Sequence, residues 1–329
     1  MSGAALFVIV NHTAARARGA WPRVREALER AGVGFEVHES TRPGETEERT
    51  REALTRGLRT VAAVGGDGTL SAAASGFFEP CAGLPEGALP RAVNPESALA
   101  LLPAGTGDDF ARGLSGGRRE PLEAWLARLV RHCRADDFRG ETTRRVDLIL
   151  GSVDGGARRF VCLNAATLGI GAEVSARVAA QGRAVRRLPG EVRFALAALP
   201  RLAAWRNRRV RVTVDGRVWQ ECGTNLLAVV NGTYAGGGMN LSPEASLTDG
   251  LLDVLAVCDI SRPALLRELS RVHTGGHMGN PHVKLTRGAH VRIESSDSAD
   301  SLGVEADGDP RGLTPADFRV MPLALRVVC

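Results

Sequence analysis

Three short glycine turns carrying acids hold the residues of this 329-residue chain that are best suited to chemistry. The first, Gly65-Gly66-Asp67-Gly68-Thr69, ends an apolar run, and small helix-forming residues follow it. The second, Gly105-Thr106-Gly107-Asp108-Asp109, also leaves an apolar run, "ALALLPAGTG". The third is Asp307-Gly308-Asp309. Glycines allow close approach, and a helix starting at such a turn offers unpaired N–H groups to phosphate oxygens. Phosphate would repel Asp67 in that ring unless this acid binds magnesium or handles a proton. Taken alone, the first motif is equally well explained as a structural turn. Repetition of strand, glycines, acids and helix in the second favours an anion site. Neither turn is a GxxxxGK[ST] phosphate loop, and no GxGxxG opens the first crossover, which argues against a dinucleotide-dependent dehydrogenase.

The elements that must position these turns alternate at first. Strand patterns at 5–10, 34–40, 59–66 and 98–103 are separated by helical patterns at 20–32, 44–57 and 69–78, with a further helix around 120–133. That rhythm predicts a parallel sheet with right-handed crossovers, whose ligands sit at the carboxyl ends of the strands. After about residue 140 the pattern changes to strands joined by glycine turns. "RRVDLILGSVDGGARRFVCLNAATLG" reads as two strands around a hairpin, and "VDGR" (214–217) is a hairpin turn. The prediction is an α/β domain over 1–138 and an antiparallel β-sandwich over 139–329, with a last strand (about 318–329) free to return to the first domain. The interval "RAVRRLPGEVRFALAALPRLAAWRNRRVRV" (183–212) reads either as a membrane-facing or substrate-covering helix, or as a core helix with basic ends.

Composition narrows the classes. The chain is 44% hydrophobic and 24% charged with a net charge of +5, and lysine occurs once, at Lys284. A mild basic balance suits anionic partners such as nucleotides or membrane surfaces. Aromatic residues make up 4% and form no platform among the basic residues, which argues against nucleic acid. Six scattered cysteines without a CxxC pair are expected to be free, buried thiols in a reducing compartment. The histidines of "HTGGHMGNPH" (273–282) fit no common zinc spacing and read as a polar loop. "MSGAALFVIVNH" reads as a first strand rather than a signal peptide, so a cytoplasmic protein is expected.

Five blocks, "GGDGT", "PAGTGDDFARGL", "NAATLGIGAEV", "NGTYAGGGMNLSPEASLTDGLLDV" and "VEADGDP", occur in the order and spacing of the diacylglycerol kinase catalytic family. The resemblance runs from Asn11 to the C-terminus. It implies an ATP-binding α/β domain joined to a β-sandwich, the fold shared with NAD kinases, and an ATP- and Mg2+-dependent lipid kinase. By the same resemblance, Gly65, Gly66, Gly68, Thr69, Gly105 and Thr106 approach the nucleotide, as do Asn11, which opens the counterpart of an NPxSG loop, and Thr41. Asp249 corresponds to the carboxylate of a structural magnesium site, with backbone carbonyls near Ser246 and Leu251. Asp309 takes the glutamate position of a DGE motif whose acid is the family's proposed base. Asp67, Asp307 and Asp309 share the proton and magnesium duties, with no one of them singled out.

The chain departs from the family at three places. Ser71 and Ala72 replace an Asn-Glu pair, Asp108 replaces an asparagine, and "NHTAARARG" lacks the proline and inner glycine of NPxSG. The partner implied is a lipid acceptor at the inner face of a membrane, with a homodimer left open. Two alternatives stand beside the kinase reading: a nucleotide- or lipid-binding regulator that has lost turnover, and a kinase for another hydroxyl acceptor.

Overall fold

The computed structural model describes residues 6–85, 87–135, 142–179 and 205–329, together with positions 181, 185, 196, 197 and 200. Most of the basic 183–212 interval and of the predicted linker lie outside the described residues. The chain divides into two units, residues 1–148 with 321–329, and residues 149–320.

Unit 1 is an α/β layer. Its strands β1 (Leu6–Asn11), β2 (Phe35–Ser40), β3 (Thr60–Gly65) and β4 (Ala98–Pro103) run parallel in the order β2-β1-β3-β4. Strands β1, β3 and β4 are buried along nearly their whole length, as near-continuous Val, Leu, Ile and Ala runs require. Each such Val or Leu contributes roughly 2 kcal/mol of burial. Edge strand β2 alternates instead.

Helix α1 (Ala15–Arg30) buries Ala17, Ala20, Trp21, Val24 and Leu28, a stripe with helical spacing. It ends at Gly32, whose φ of +69° lets the next N–H groups reach back to Leu28 and Glu29 carbonyls. Helix α2 (Glu45–Thr55) opens on Glu45, Glu47 and Glu48, favourable charges at a positive helix end. Helices α3 (Asp67–Ser75), α4 (Asp109–Leu114) and α5 (Leu122–Arg134) complete the unit. His132 of α5 is fully buried between the Thr60 and Thr142 hydroxyls, and burial pushes its pKa down.

Unit 2 is an antiparallel β-sandwich. In chain order it holds β5 (Thr143–Val153, begun in unit 1), β6 (Arg158–Cys162), β7 (Ala165–Gly169), helix α6 (Ile170–Ala179), β8 (Arg208–Val214) and β9 (Arg217–Val230). Then come β10 (Tyr234–Ala235), β11 (Met239–Asn240), β12 (Leu252–Cys258), helix α7 (Arg262–Arg271), β13 (Val283–Gly288) and β14 (His290–Ser295). Strands β15 (Gly303–Ala306), β16 (Asp309–Leu313) and β17 (Ala316–Val328) close it. The long β9 pairs with β7, β8 and β12. Strand β17 pairs with β14 through Ala316–Arg319, and its residues in unit 1, Arg326 and Val327, pair in parallel with β4.

Two expectations are refined. "RRVDLILGSVDGGARRFVCLNAATLG" forms three strands, β5, β6 and β7, because Leu163 and Asn164 break the run and turn their N–H groups to a side chain described below. The cysteines are not all free: Cys222 and Cys258 form a disulfide, with Cα atoms 5.8 Å apart. They are 36 residues apart in the chain, so only the pairing of β9 with β12, with its irregularity at Cys258, brings them together. Cys81, Cys133, Cys162 and Cys329 are thiols outside any disulfide. In the histidine-rich loop, His273, His277 and His282 each donate to a backbone carbonyl. Among the described residues, no helix is long and apolar enough to cross a membrane.

Candidate active site

The carboxyl edge of the unit 1 sheet gathers the predicted nucleotide positions. Gly65 ends β3 in register with Pro103 of β4, and Ala104 N–H donates to Gly65 O at 2.8 Å. The two glycine turns are therefore adjacent corners of neighbouring strands. A Cβ on Gly105 would lie 2.5 Å from Gly66 Cα, and one on Gly65 2.4 Å from Thr69 Oγ1, so these positions admit no larger residue without movement. Asn11, at the end of β1, donates from Nδ2 to Thr69 Oγ1 at 2.9 Å. Its Oδ1 accepts from the Thr13 N–H and hydroxyl, which shapes the following loop without the family's proline. Thr41 follows β2 at the same edge, and its N–H donates to Glu45 Oε2 at 2.8 Å. That bond and a second from Arg42 N–H hold the Glu45 carboxyl at about 2.

The acids of these turns organise the corner. Asp67, the first residue of α3, accepts from Phe110 N–H at 3.2 Å and so ties the first turn to the start of α4. Asp108 adopts the left-handed conformation, φ +51°, that Asn and Asp tolerate. Its Oδ1 accepts from Gly105 N–H at 2.9 Å, a bond that the family's asparagine would also make. Burial raises the Asp108 pKa, and the neighbouring Asp67 charge adds to the rise, while the Gly105 bond opposes it.

Two cations escaped the sequence reading. Arg16 donates from Nη1 to Gly105 O at 2.8 Å, and Arg119 donates to the Thr106 and Gly107 carbonyls. The arginine-rich "ARARG" was the available signal for the first, and nothing in spacing points to the second. In the first turn of α3, Thr69 N–H and Leu70 N–H donate to Gly66 O at 3.0 and 3.1 Å, whereas the Gly68 N–H, one residue nearer the start, has no acceptor inside the helix. A Cβ on Gly68 would meet nothing within 4 Å. The Gly68 N–H at the helix start and the two guanidinium groups beside it suit a phosphate chain.

Unit 2 sorts its two predicted acids sharply. Asp307 and Gly308, at φ +50° and +92°, form the two-residue loop between β15 and β16. The Asp307 carboxylate accepts three backbone N–H groups, from Leu163 at 2.6 Å, Asn164 at 3.0 Å and Ala165 at 3.1 Å. Asp309, one residue beyond the loop, is exposed and faces Arg311 Nη2 at 3.6 Å. Asp307 is thus a clamp, and Asp309 presents its carboxylate to solvent. Sequence reasoning missed Glu305, buried in β15, which accepts from Thr167 Oγ1 at 2.6 Å and from Gly308 N–H. Burial pushes its pKa up to about 7.

The predicted magnesium loop is compact. Asp249 Oδ1 accepts from Leu251 N–H at 3.1 Å, and Ser246 Oγ from Thr248 N–H at 3.3 Å. Among the described residues no group of three or more His, Cys, Asp and Glu side chains is placed to hold a metal. A cation at Asp249 would therefore depend on backbone carbonyls, oxygen ligands of the kind hard cations accept.

The same two-part division appears in known proteins. Residues 5–139 match the model of the diacylglycerol kinase catalytic domain, and residues 168–329 match that of the YegS C-terminal NAD kinase beta sandwich-like domain. A Pseudomonas aeruginosa protein named "Probable lipid kinase YegS-like" is 33% identical over 302 residues, covering 92% of this chain and 86% of that protein. The chain belongs to the diacylglycerol kinase family. Among other relatives of this kinase family, the diacylglycerol kinase of Bacillus subtilis is 27% identical over 301 residues, or 90% of this chain and 86% of that one. A solved diacylglycerol kinase from Bacillus anthracis shares the fold at a TM-score of 0.70 and 19% identity, covering 100% and 98% of the two chains. An Archaeoglobus fulgidus NAD kinase solved with ATP shares it more distantly, at a TM-score of 0.52, 12% identity and 98% and 93% coverage.

Proposed function

We propose that this diacylglycerol kinase family member transfers the γ-phosphoryl group of ATP to a hydroxyl of diacylglycerol or a similar lipid taken from a membrane surface. The observation that carries the reading is the pair of touching glycine corners beside a helix start, flanked by Arg16 and Arg119. Phosphoryl transfer needs chiefly positioning and charge neutralisation, and N–H groups with guanidinium groups supply both. Magnesium, when bound, would neutralise charge on the transferring phosphoryl oxygens. Asp67, at the helix start, is the side chain of this turn suited to orienting that cation.

A lipid hydroxyl is a poor nucleophile and needs a carboxylate to accept its proton. Asp309 is assigned that role. Asp309 is preferred to Asp307 because three N–H donors bond the Asp307 oxygens, and such bonds favour the ionised form and make it a weaker base. Asp249 would hold the structural cation through the 246–251 loop.

Purified protein is incubated with γ-labelled ATP, magnesium and a panel of lipids in vesicles, and products are identified by mass spectrometry. A phosphorylated lipid that disappears in Asp67→Ala and Asp309→Asn is the expected result. Absence of transfer to every lipid by folded protein overturns the reading. A second reading, a nucleotide-binding regulator without turnover, draws on Asp108, which adds a second carboxylate to the phosphate corner. ATP binding without product in the same assay would select it.

A further inference from the structure

The turn that presents Asp309 is held from two sides. Asp307 fastens it to the Leu163–Ala165 backbone. Glu305 fastens it from the other, with one carboxylate oxygen on Gly308 N–H and the other on the hydroxyl of Thr167, its cross-strand partner in β7. The Glu305 side chain is buried, and burial raises its pKa to about 7, with the charges of Asp307 and Asp309 adding to the rise. An apolar residue here would spare the fold that desolvation cost. The carboxylate returns geometry instead. It spans a sheet strand and the turn with two hydrogen bonds, and Gly308 is bonded directly to Asp309. Close packing leaves Thr167 little freedom, since a Cβ on Gly171 would lie 3.1 Å from its Oγ1.

We propose that Glu305 is a positioning residue whose carboxylate, bridging Thr167 Oγ1 and Gly308 N–H, fixes the turn from which Asp309 meets the acceptor hydroxyl. The inference rests on the proposed role of Asp309. Glutamine at 305 preserves the bridge: its amide oxygen accepts from Gly308 N–H while its NH2 group donates to the Thr167 hydroxyl. Alanine leaves both partners unbonded. A misplacement of the base by about 1 Å costs on the order of 10²-fold in rate.

The test uses the full chain carrying Glu305→Ala, Glu305→Gln, Thr167→Val or Asp309→Asn, assayed for kcat and KM of Mg-ATP on diacylglycerol vesicles. Amide hydrogen exchange at Gly308 is measured in parallel. The expected result is a kcat lower by about 10²-fold in Glu305→Ala with unchanged KM for ATP, and faster Gly308 exchange. Glu305→Gln restores most of both, and Thr167→Val falls between. Wild-type exchange at Gly308 in Glu305→Ala, or a glutamine variant as impaired as alanine, overturns the proposal. Should the alanine variant not fold, the glutamine and Thr167→Val variants decide by the same two readouts. Full kcat in Asp309→Asn would remove the proposed base itself, while exchange at Gly308 still decides whether Glu305 fixes the turn.

Discussion

Gly66 and Gly105 meet backbone to backbone: a methyl on Gly105 would sit 2.5 Å from Gly66 Cα and 2.6 Å from Asp108 Oδ1. Gly66 Cα is backbone and cannot swing aside as the Asp108 carboxylate could, so Gly105→Ala must part the two corners. The expected cost is about 1–3 kcal/mol, the usual range for overpacking, together with a raised KM for ATP. Gly68→Ala is the contrast, since a methyl there meets nothing. It should keep or slightly raise the unfolding midpoint, as alanine favours helix over glycine, while still weakening ATP binding by crowding the helix start. Urea unfolding and nucleotide titration of the two variants separate packing from binding. Equal effects of both on stability would show that the corner is not held by this contact.

Asp307 and Asp309 are two residues apart and predicted to behave oppositely. Asp307→Ala removes the acceptor of three N–H groups, each of which costs about 1–3 kcal/mol when left unpaired without water, so a loss of about 3 kcal/mol is expected. Asp309→Asn alters an exposed side chain and should change stability by less than about 0.5 kcal/mol. Its kcat should fall by about 10²–10⁴-fold, the span of general-base catalysis. Thermal unfolding and steady-state kinetics on the same preparations check both. A destabilised Asp309→Asn with high residual kcat would reverse the assignment.

This pair also shows where the sequence was legible. The five motif blocks and the change from βα alternation to hairpins carried the fold, because apolar periodicity and glycine turns are local signals. Asn11, Thr41 and the two glycine corners could be placed at one sheet edge from strand order alone. Deciding between Asp307 and Asp309 needed the path of residues 163–165, more than 140 positions away, which no local pattern encodes. Glu305 was hidden for the same reason: in sequence it is one more acid of an acidic hairpin, and its meaning comes from Thr167 opposite it. The Cys222–Cys258 bond likewise depends on which strands pair.

Glu45 makes a prediction about acid. Its carboxylate accepts the Thr41 and Arg42 N–H groups beside the His38 ring, and its pKa falls from about 4.5 to about 2. A depressed carboxyl stabilises the fold fully above its unfolded pKa and loses that contribution as pH falls toward the folded one. Wild-type stability should therefore drop between about pH 4.5 and 2 through this group. Glu45→Gln should be less stable than wild type at pH 6 and close to it near pH 2. Urea midpoints across that range provide the measurement, and a constant gap between the two proteins would show that Glu45 does not titrate with folding.

Asp108 is the departure from the family that the geometry explains in part. An asparagine would keep the left-handed backbone and the bond from Gly105 N–H, so Asp108→Asn changes charge and little else. Burial and Asp67 raise the Asp108 pKa, which means that its ionised form is held against a penalty in the fold. By linkage, that penalty grows as pH rises from the ordinary carboxylate range through the raised pKa, and it is complete above it. The variant should thus gain stability relative to wild type at neutral pH and lose that advantage in acid. Two partly screened charges several ångströms apart interact by about 1 kcal/mol, so removing this one beside a triphosphate should lower the KM for ATP about three- to tenfold. kcat should stay near the wild-type value, because Asp67 and Asp309 are untouched. A higher KM in Asp108→Asn would instead make the Asp108 charge part of how the chain holds its nucleotide, through a cation rather than in spite of one.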